Sequence, residues 1–574
     1  MSKIKNVAFG LAAAGLLFTF GACKKDNNGG DNNQVAAGAL AKGDANWKIE
    51  EVNGLLSFIP EDSPMVYVTT RNVDFNHPVI QKALAKSAKL SETINKLSEI
   101  QAENVDEDKK AQIAEMKKFM DEWMPLYKDF KGNAKNFGIN PDHYDAAVYM
   151  DGKVIVAKVS VDDGEMLKGK IAPLMDMMKT NGLNVREDGE WMILGMPAEA
   201  ADDKIPDVKV ALNYGKEIVT VAIYTNDAEF ANLGRVLKAS DKPLKKDALG
   251  KIENNVEGIG YIDNVQAISA FLAGDMRKAV EDILGEPIPA NCDPEIKEIV
   301  ADYPRIKIAT RFLDNSRVSF EGTLVMNDKE ALKKLADLHT PSLDIVKTDN
   351  VMSLKLNVNL GKIVSQVIEM ADALSKKTYQ CKPLAELTGA AKMVPEMVAD
   401  PQFAMMRNVA EGLSGINMAL DSLTLSPEPK FEAIVNITGE RTGEVLPPMF
   451  MLVGRQVPGL TGITMDGPAV DLDLSELAGM DLKLKALMTK TDLLVATPNY
   501  DVAAISKGSS KSSDAFIEFQ IGSKFYAIVG EEAAKAGDEA VMKDLKAVFS
   551  EMFTQTYTLG TNDEGIAMNG IITF

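Results

Sequence analysis

The sequence contains 574 residues, of which 46% are hydrophobic and 25% are charged, as in ordinary globular proteins. A chain of this length predicts more than one folding unit. Its 83 acidic residues exceed its 63 basic ones, and the net charge of −20 argues against a partner with a phosphate backbone, so we expect no nucleic acid. With three His and three Cys, the chain has little material for imidazole or thiol catalysis, and we expect no metal and no cofactor.

The N-terminal residues 1–22 have the pattern of a signal peptide. Lys3 and Lys5 precede an apolar stretch from Val7 to Phe20, which is too short to span a membrane comfortably. The stretch leads through Gly21 and Ala22 into Cys23, and this ending resembles the lipobox of bacterial lipoproteins. The resemblance implies cleavage before Cys23, lipidation of Cys23 and attachment to a membrane through that lipid. An ordinary secretory signal is the alternative.

A polar segment follows at residues 23–47. Between positions 24 and 33 it contains only Lys, Asp, Asn and Gly, a composition that predicts a flexible tether. Its Lys-Asp start resembles the export tag of Bacteroidota surface lipoproteins. We therefore expect an outer-membrane, lipid-anchored protein on the cell surface or the periplasmic face. Removal of residues 1–22 takes away two Lys and no acid, so the mature net charge becomes −22.

The body opens with a Pro-bounded turn, Ile59 to Pro64, that leads into a short strand at Met65–Val68. Apolar residues then repeat at helical spacing between Leu90 and Leu126, which predicts a helical hairpin. Over residues 1–85 the lipobox, tether and opening strand together resemble a family of large, uncharacterised Bacteroidota envelope lipoproteins. The resemblance implies a compartment and a style of fold, and it brings no catalytic residues.

Two Asp-Gly pairs fix the fold class. Asp151-Gly152 and Asp188-Gly189 each lie between short alternating apolar segments, which is the strongest local signal for a β-hairpin. Strands joined by such tight turns are antiparallel. We therefore predict an α+β protein with antiparallel sheets and packed helices.

Strand-to-helix junctions recur along the chain and indicate two related halves. The junctions at Val159–Leu167, Ile223–Phe230 and Leu324–Leu332 each place an acidic or Asn cap before a helix. Helix capping explains these acids, and a carboxylate metal cluster is the alternative. A change in composition at Lys245–Glu257 suggests the boundary. We predict an N-terminal α+β domain at 48–250, which includes the helical hairpin, and a C-terminal α+β domain at 251–574.

The remaining cysteines are Cys292 and Cys381, both in Pro-flanked segments that look like loops. Outside the cytoplasm, such a pair most simply forms a disulfide, which we predict. Two separate buried thiols are the alternative, because connectivity cannot be proved from one sequence.

Methionine is abundant, with 29 residues, and it concentrates in one helical region at Met393, Met397, Met405 and Met406. Flexible thioethers can line an apolar groove for a lipid or an apolar peptide. Core filling is the simpler interpretation, because Met393 and Met397 lie one helical turn apart.

No catalytic motif stands out: the sequence lacks His-Glu-x-x-His, Gly-x-Ser-x-Gly and a phosphate-binding glycine loop. We expect a non-enzymatic, lipid-anchored envelope protein that binds an unidentified protein, glycan or lipid. One alternative is a carrier that holds a hydrophobic ligand in the Met-rich groove. The other is a hydrolase with a carboxylate active site, for which the sequence offers no specific residues.

Overall fold

A computed structural model gives the fold of the chain. The residues that the structure describes are 54–69, 77–83, 85–86, 125–126, 129–130, 133–139, 145–180, 184–195, 209–224, 227–249, 256–272, 277, 281, 287–343, 345, 350–425, 429–453, 459–508, 510–511, 515–534 and 553–574. The predicted signal peptide, Cys23, the tether and most of the predicted helical hairpin lie outside these residues.

Strands make up much of the described chain. The first ten are β1 (Met65–Thr69), β2 (Ala146–Asp151), β3 (Val154–Ser160), β4 (Asn184–Asp188), β5 (Trp191–Gly195), β6 (Lys209–Tyr214), β7 (Ile218–Tyr224), β8 (Val256–Asp263), β9 (Arg305–Phe312) and β10 (Arg317–Val325). The others are β11 (Ser342–Leu343), β12 (Met352–Leu356), β13 (Gly415–Thr424), β14 (Lys430–Thr438), β15 (Val470–Asp473), β16 (Lys483–Met488), β17 (Asp492–Ala496), β18 (Ser510–Lys511), β19 (Ala515–Ile521), β20 (Thr554–Thr561) and β21 (Gly565–Thr573).

Helices alternate with these strands. They are α1 (Gly164–Thr180), α2 (Asp227–Phe230), α3 (Asn264–Leu272), α4 (Asp293–Ala301), α5 (Lys329–Ala336), α6 (Leu360–Ser375), α7 (Lys382–Ala399), α8 (Pro401–Gly412), α9 (Thr442–Val453), α10 (Ser475–Ala478), α11 (Val502–Ile505) and α12 (Ser523–Ala534). Short 3₁₀ helices occur at Gly54–Phe58, Ala134–Phe137, Leu233–Leu237, Lys246–Leu249, Ala290–Cys292 and Leu460–Gly462. Within the described part of the chain, no helix has both the length and the hydropathy needed to cross a membrane.

Nineteen of the described strands form one antiparallel sheet, and β11 pairs separately with β18. The spatial order of the sheet is β4-β5-β6-β7-β3-β2-β1-β8-β9-β10-β21-β20-β19-β12-β13-β14-β17-β16-β15. The α+β prediction is therefore confirmed.

Local signals in the sequence account for many of these connections. Gly152 and Gly189 turn the β2–β3 and β4–β5 hairpins with φ of 62° and 61°, a backbone region that favours glycine. At the start of α5, the Asp328 carboxylate accepts hydrogen bonds from the backbone N–H groups of Glu330 and Ala331, as expected for a cap.

The same order of strands occurs on both sides of the β10–β21 pair. We call β1–β10 the first strand set, and β12–β17 with β19–β21 the second strand set. In the first, β1, β2 and β3 are flanked by β7 on one side and β8, β9 and β10 on the other. In the second, β12, β13 and β14 are flanked by β17 and by β19, β20 and β21 in the corresponding positions. Because β8 pairs with β1, strand pairing does not divide the sheet at residue 250.

The two faces of the sheet are covered differently. On the helix side, Leu174, Met175 and Met178 of α1 pack against the first strand set, and Val445 and Leu446 of α9 pack against the second. On the opposite side, which we call the loop side, the covering segments are short connections. There, Leu55 and Leu233 of 3₁₀ helices cover the first set, and Leu343, Ile345 and Val502 cover the second.

One charged side chain is buried in the loop-side core of the first strand set. Lys158 of β3 is 1% exposed. Its Nζ donates a hydrogen bond to Thr220 Oγ1 at 3.1 Å and lies 4.3 Å from the centre of the Phe58 ring. Burial lowers the pKa of this ammonium from 10.5 to about 8, because desolvation disfavours the charged form.

This lowered pKa predicts a pH-dependent stability. Between about pH 8 and pH 10.5 the unfolded chain binds a proton at Lys158 that the folded chain does not bind, so stability rises with pH across that window. Relative to Lys158→Met, the wild-type free energy of unfolding should rise by roughly 3 kcal/mol over the window. Urea denaturation of both proteins across these pH values checks the expectation, and parallel stability curves would contradict it.

Candidate functional site

The helix side of the sheet is apolar where the two strand sets meet. The register places one row of side chains across seven neighbouring strands: Thr310, Phe320, Gly570, Tyr557, Phe519, Leu354 and Met418. A second row on the same face contains Ile308, Gly322, Met568, Leu559, Ile517, Leu356 and Ile416. We call these two rows the central apolar face.

Four large apolar side chains of the central apolar face are exposed, and most of its other residues are partly buried. Phe320 is 49% exposed, Tyr557 42%, Met568 60% and Met418 39%. Among the described residues, the buried core clusters contain no side chain from β20 or β21. Contiguous exposed apolar surface of this kind marks a site of interaction in soluble domains.

The loop side of the same strands is polar, so the sheet is amphipathic at its centre. Arg311 pairs with Glu321 at 2.8 Å, and Lys355 pairs with Glu518 at 3.2 Å. Because successive side chains of a strand point to opposite faces, the polar residues take one face and the apolar residues the other. The apolar face is therefore the side on which these strands can bind an apolar molecule.

The dimensions of this face suit a long, thin ligand. Seven strands span about 29 Å, from six spacings of about 4.8 Å. An acyl chain reaches through half of the hydrocarbon thickness of a bilayer, which is about 30 Å, so one acyl chain lying across the strands would fit within this width. The methionine and aromatic side chains present adaptable apolar contacts, which a flexible ligand requires.

The four methionines singled out from the sequence do not fill a core. Met393 and Met397 of α7 are 62% and 55% exposed, and Met405 and Met406 of α8 are 55% and 66% exposed. The core-filling interpretation is therefore wrong for these side chains. Met418, which neighbours them in sequence, belongs instead to the central apolar face on β13.

The predicted disulfide between Cys292 and Cys381 is confirmed. Both cysteines are buried, and the bond joins the start of α4 to the start of α7. Around it, the Glu295 carboxylate accepts hydrogen bonds from the backbone N–H groups of Gln380 at 2.6 Å and Cys381 at 2.9 Å. Asn291 Nδ2 donates to the Gln380 carbonyl at 2.6 Å. The connection between α4 and α7 thus combines a covalent bond with three hydrogen bonds.

A small cavity of about 60 Å³ lies on the helix side of the first strand set. Tyr67, Thr310 and Glu257 are among its lining residues, and the Tyr67 hydroxyl donates to Thr310 Oγ1 at 2.9 Å. Burial raises the pKa of the Tyr67 phenol above its ordinary value, and the nearby charge of Glu257 raises it further. A Cβ at Gly258 would overlap the Tyr67 hydroxyl, so glycine is required there. The volume admits a few water molecules and no lipid tail.

Carboxylates do not converge in this cavity, where Glu257 is the acidic residue. Three other buried carboxylates are held by neighbours: Lys355 pairs with Glu518, Asn436 donates to Asp492, and Tyr500 donates to Asp421. Within the described part of the chain, no group of three His, Cys, Asp or Glu side chains could hold a metal ion. The geometry therefore gives the hydrolase alternative no specific support.

Two histidines of the described chain pack against aromatic rings. His77 stacks on Phe312 at 4.6 Å, and His339 stacks on Phe516 at 4.0 Å, both measured between ring centres. His143, the histidine with acidic neighbours in the sequence, lies outside the described residues.

Sequence reasoning missed the central apolar face. Alternating apolar residues in β19 and β21 do indicate strands with one apolar side. The pairing of β10 with β21, which puts these sides together, joins residues about 250 positions apart and has no local signal.

Known proteins show little similarity to this chain. No family model matches the chain, and no curated protein matches it. A solved chain titled "Structure of crystal form III of TP0453" shares 11% identity, with a TM-score of 0.22, over 51% of this chain and 89% of that one. A superposition at this level carries no argument about fold or function.

The disulfide should contribute strongly to stability, because it links segments 89 residues apart in sequence. A cross-link at that separation lowers the conformational entropy of the unfolded chain, which stabilises the folded state by about 4 kcal/mol. The double variant Cys292→Ser/Cys381→Ser should therefore unfold at a clearly lower temperature in calorimetry. Its matched control is wild type heated with and without a reducing agent, and an unchanged unfolding temperature in the double variant would contradict the expectation.

Proposed function

We propose that this protein is a non-enzymatic, lipid-anchored envelope protein that binds the acyl chain of a lipid on its central apolar face. The observation that carries the proposal is the exposure of Phe320, Tyr557 and Met568 on a face that sheets ordinarily bury. Among the functions considered from the sequence, the proposal is closest to the carrier of a hydrophobic ligand. It places the binding site on the central apolar face and not on the helices that contain Met393, Met397, Met405 and Met406.

The anchor and compartment form part of the same proposal. The lipobox ending at Cys23 supports lipidation, and the polar segment behind it supports a body tethered to the outer membrane. A binding face for acyl chains is useful to a protein held beside a membrane, because its ligand is available there at high local concentration. The resemblance to Bacteroidota envelope lipoproteins agrees with this placement.

We further propose that the two strand sets are related by duplication. Their matching strand orders support this relationship. On this view the division falls between β10 and β12, at residues 326–351, and not near residue 250. The central apolar face then extends across the junction of the two units, from β9 of the first to β13 of the second.

The binding proposal is tested with the mature chain carrying Cys23→Ser, stripped of bound lipid and titrated with a fluorescent hexadecanoic acid. The triple variant Phe320→Thr/Tyr557→Thr/Met568→Thr should weaken binding about tenfold or more. Each of these side chains contributes roughly 1.5–3 kcal/mol when fully buried by a ligand, and about 1.4 kcal/mol corresponds to a tenfold change in affinity. Threonine preserves the strand, so the fold should survive.

The matched control is Ile155→Thr, because Ile155 is an exposed apolar residue of β3 outside the central apolar face. Its affinity should equal that of wild type. Equal affinity of the triple variant and wild type would place the ligand elsewhere. Absence of both probe binding and co-purified lipid in the wild-type protein, read by native mass spectrometry, would remove the proposed function.

A further inference from the structure

Helices α6, α7 and α8 form an excursion between β12 and β13 whose packing is unusual for a protein in water. The buried side chains of α6 and α7 are small: Gly361, Ala371, Thr388 and Ala391. The large apolar side chains that are more than half exposed on the three helices are Val367, Met370, Leu387, Met393, Met397, Met405 and Met406.

Small residues allow the helices to approach one another closely. A Cβ added at Gly361 of α6 would lie 2.6 Å from Glu411 Cα of α8, so glycine sets this approach. Small residues at helix contacts with large apolar residues outside are the arrangement that helices adopt against lipid. In water the same arrangement leaves apolar surface without a partner.

The charge of this excursion differs from that of the chain. Residues 360–412 contain six basic residues (Lys362, Lys376, Lys377, Lys382, Lys392 and Arg407) and six acidic ones (Glu369, Asp372, Glu386, Glu396, Asp400 and Glu411). Their net charge is zero, against −20 for the whole chain. An acidic surface is repelled by anionic headgroups, so this neutral segment can approach a membrane at a lower electrostatic cost than a surface with the average charge of the chain.

We infer that α6–α8 dock on a lipid bilayer through their exposed methionines, which insert at the level of the headgroups and upper acyl chains. Interfacial helices bind in this way, through their apolar side chains, without spanning the membrane. Docking would be additional to the proposed acyl-chain site, because α6–α8 and the central apolar face are different residues.

The proposed lipid anchor would place the excursion within reach of such a surface. Thirty residues, 24–53, lie between Cys23 and Gly54, the first described residue. The tether expected from the composition of this segment would have a reach of roughly 30 Å on average. The anchor therefore does not hold the body away from the membrane that carries it.

The test uses the mature chain with Cys23→Ser, so that no attached lipid contributes, and vesicle flotation as the readout. We expect wild type to float with phosphatidylcholine vesicles, and no better with vesicles that also contain phosphatidylglycerol. The variant Met393→Gln/Met397→Gln should lower the partition coefficient about threefold, and adding Met405→Gln/Met406→Gln should lower it about tenfold or more. Glutamine has nearly the helix propensity of methionine, so the helices should persist.

The matched control is Met166→Gln/Met465→Gln, which changes two exposed methionines outside the excursion and should leave flotation unchanged. Lack of flotation by wild type, or equal flotation by the quadruple variant, would overturn the inference. Sedimentation velocity distinguishes a second copy of the chain as the occupant: self-association that the quadruple variant abolishes, without flotation, would also overturn it.

Different variants test acyl-chain binding and membrane docking, so either proposal can fail without the other. The Phe320→Thr/Tyr557→Thr/Met568→Thr variant should float like wild type although it binds the fatty acid probe weakly. The methionine variants should bind the probe normally although they float poorly.

Discussion

The pairing of β10 with β21 is the constraint on which the rest of the structure depends. Nine consecutive register positions, from Arg317 opposite Thr573 to Val325 opposite Gly565, join the two strand sets into one sheet. Because side chains alternate between faces with a period of two, this register decides the orientation of every strand beside it. A shift of β10 by one residue along β21 would turn Phe320 to the polar side and bring Glu321 to the apolar side, beside Met568.

Among the described residues, covering elements bury the flanks of the sheet and leave Phe320, Tyr557 and Met568 exposed at its centre. Helix α1 packs on the outer strands of the first set and α9 on those of the second, and connections close the loop side of each. Within the described part of the chain, the central strands β20 and β21 contribute no side chain to the buried core clusters. The exposed apolar side chains are thus a consequence of joining the two strand sets through their least covered strands.

The disulfide connects two helices that belong to different strand sets. It joins α4, which lies between β8 and β9, to α7, which lies between β12 and β13. The bond therefore connects the two strand sets covalently, in addition to the strand pairing. Cys381 lies between α6 and α7, so the bond fixes the α6–α8 excursion at that connection, while the methionines of α7 and α8 stay exposed. A bond at this position can hold a surface in place for binding without being part of that surface.

The sequence by itself determined the local structure: the Asp-Gly hairpins, the Asp328 cap, the α+β class and the partnership of Cys292 with Cys381. Each depends on the chemistry of a few residues or, for the disulfide, on the number of cysteines available. Only the tertiary structure decided that Met393 and its neighbours are exposed, and that Phe320 lies in one row with Tyr557. Hydrophobic periodicity shows which side of a helix or strand is apolar, but what covers that side depends on contacts between residues far apart in sequence.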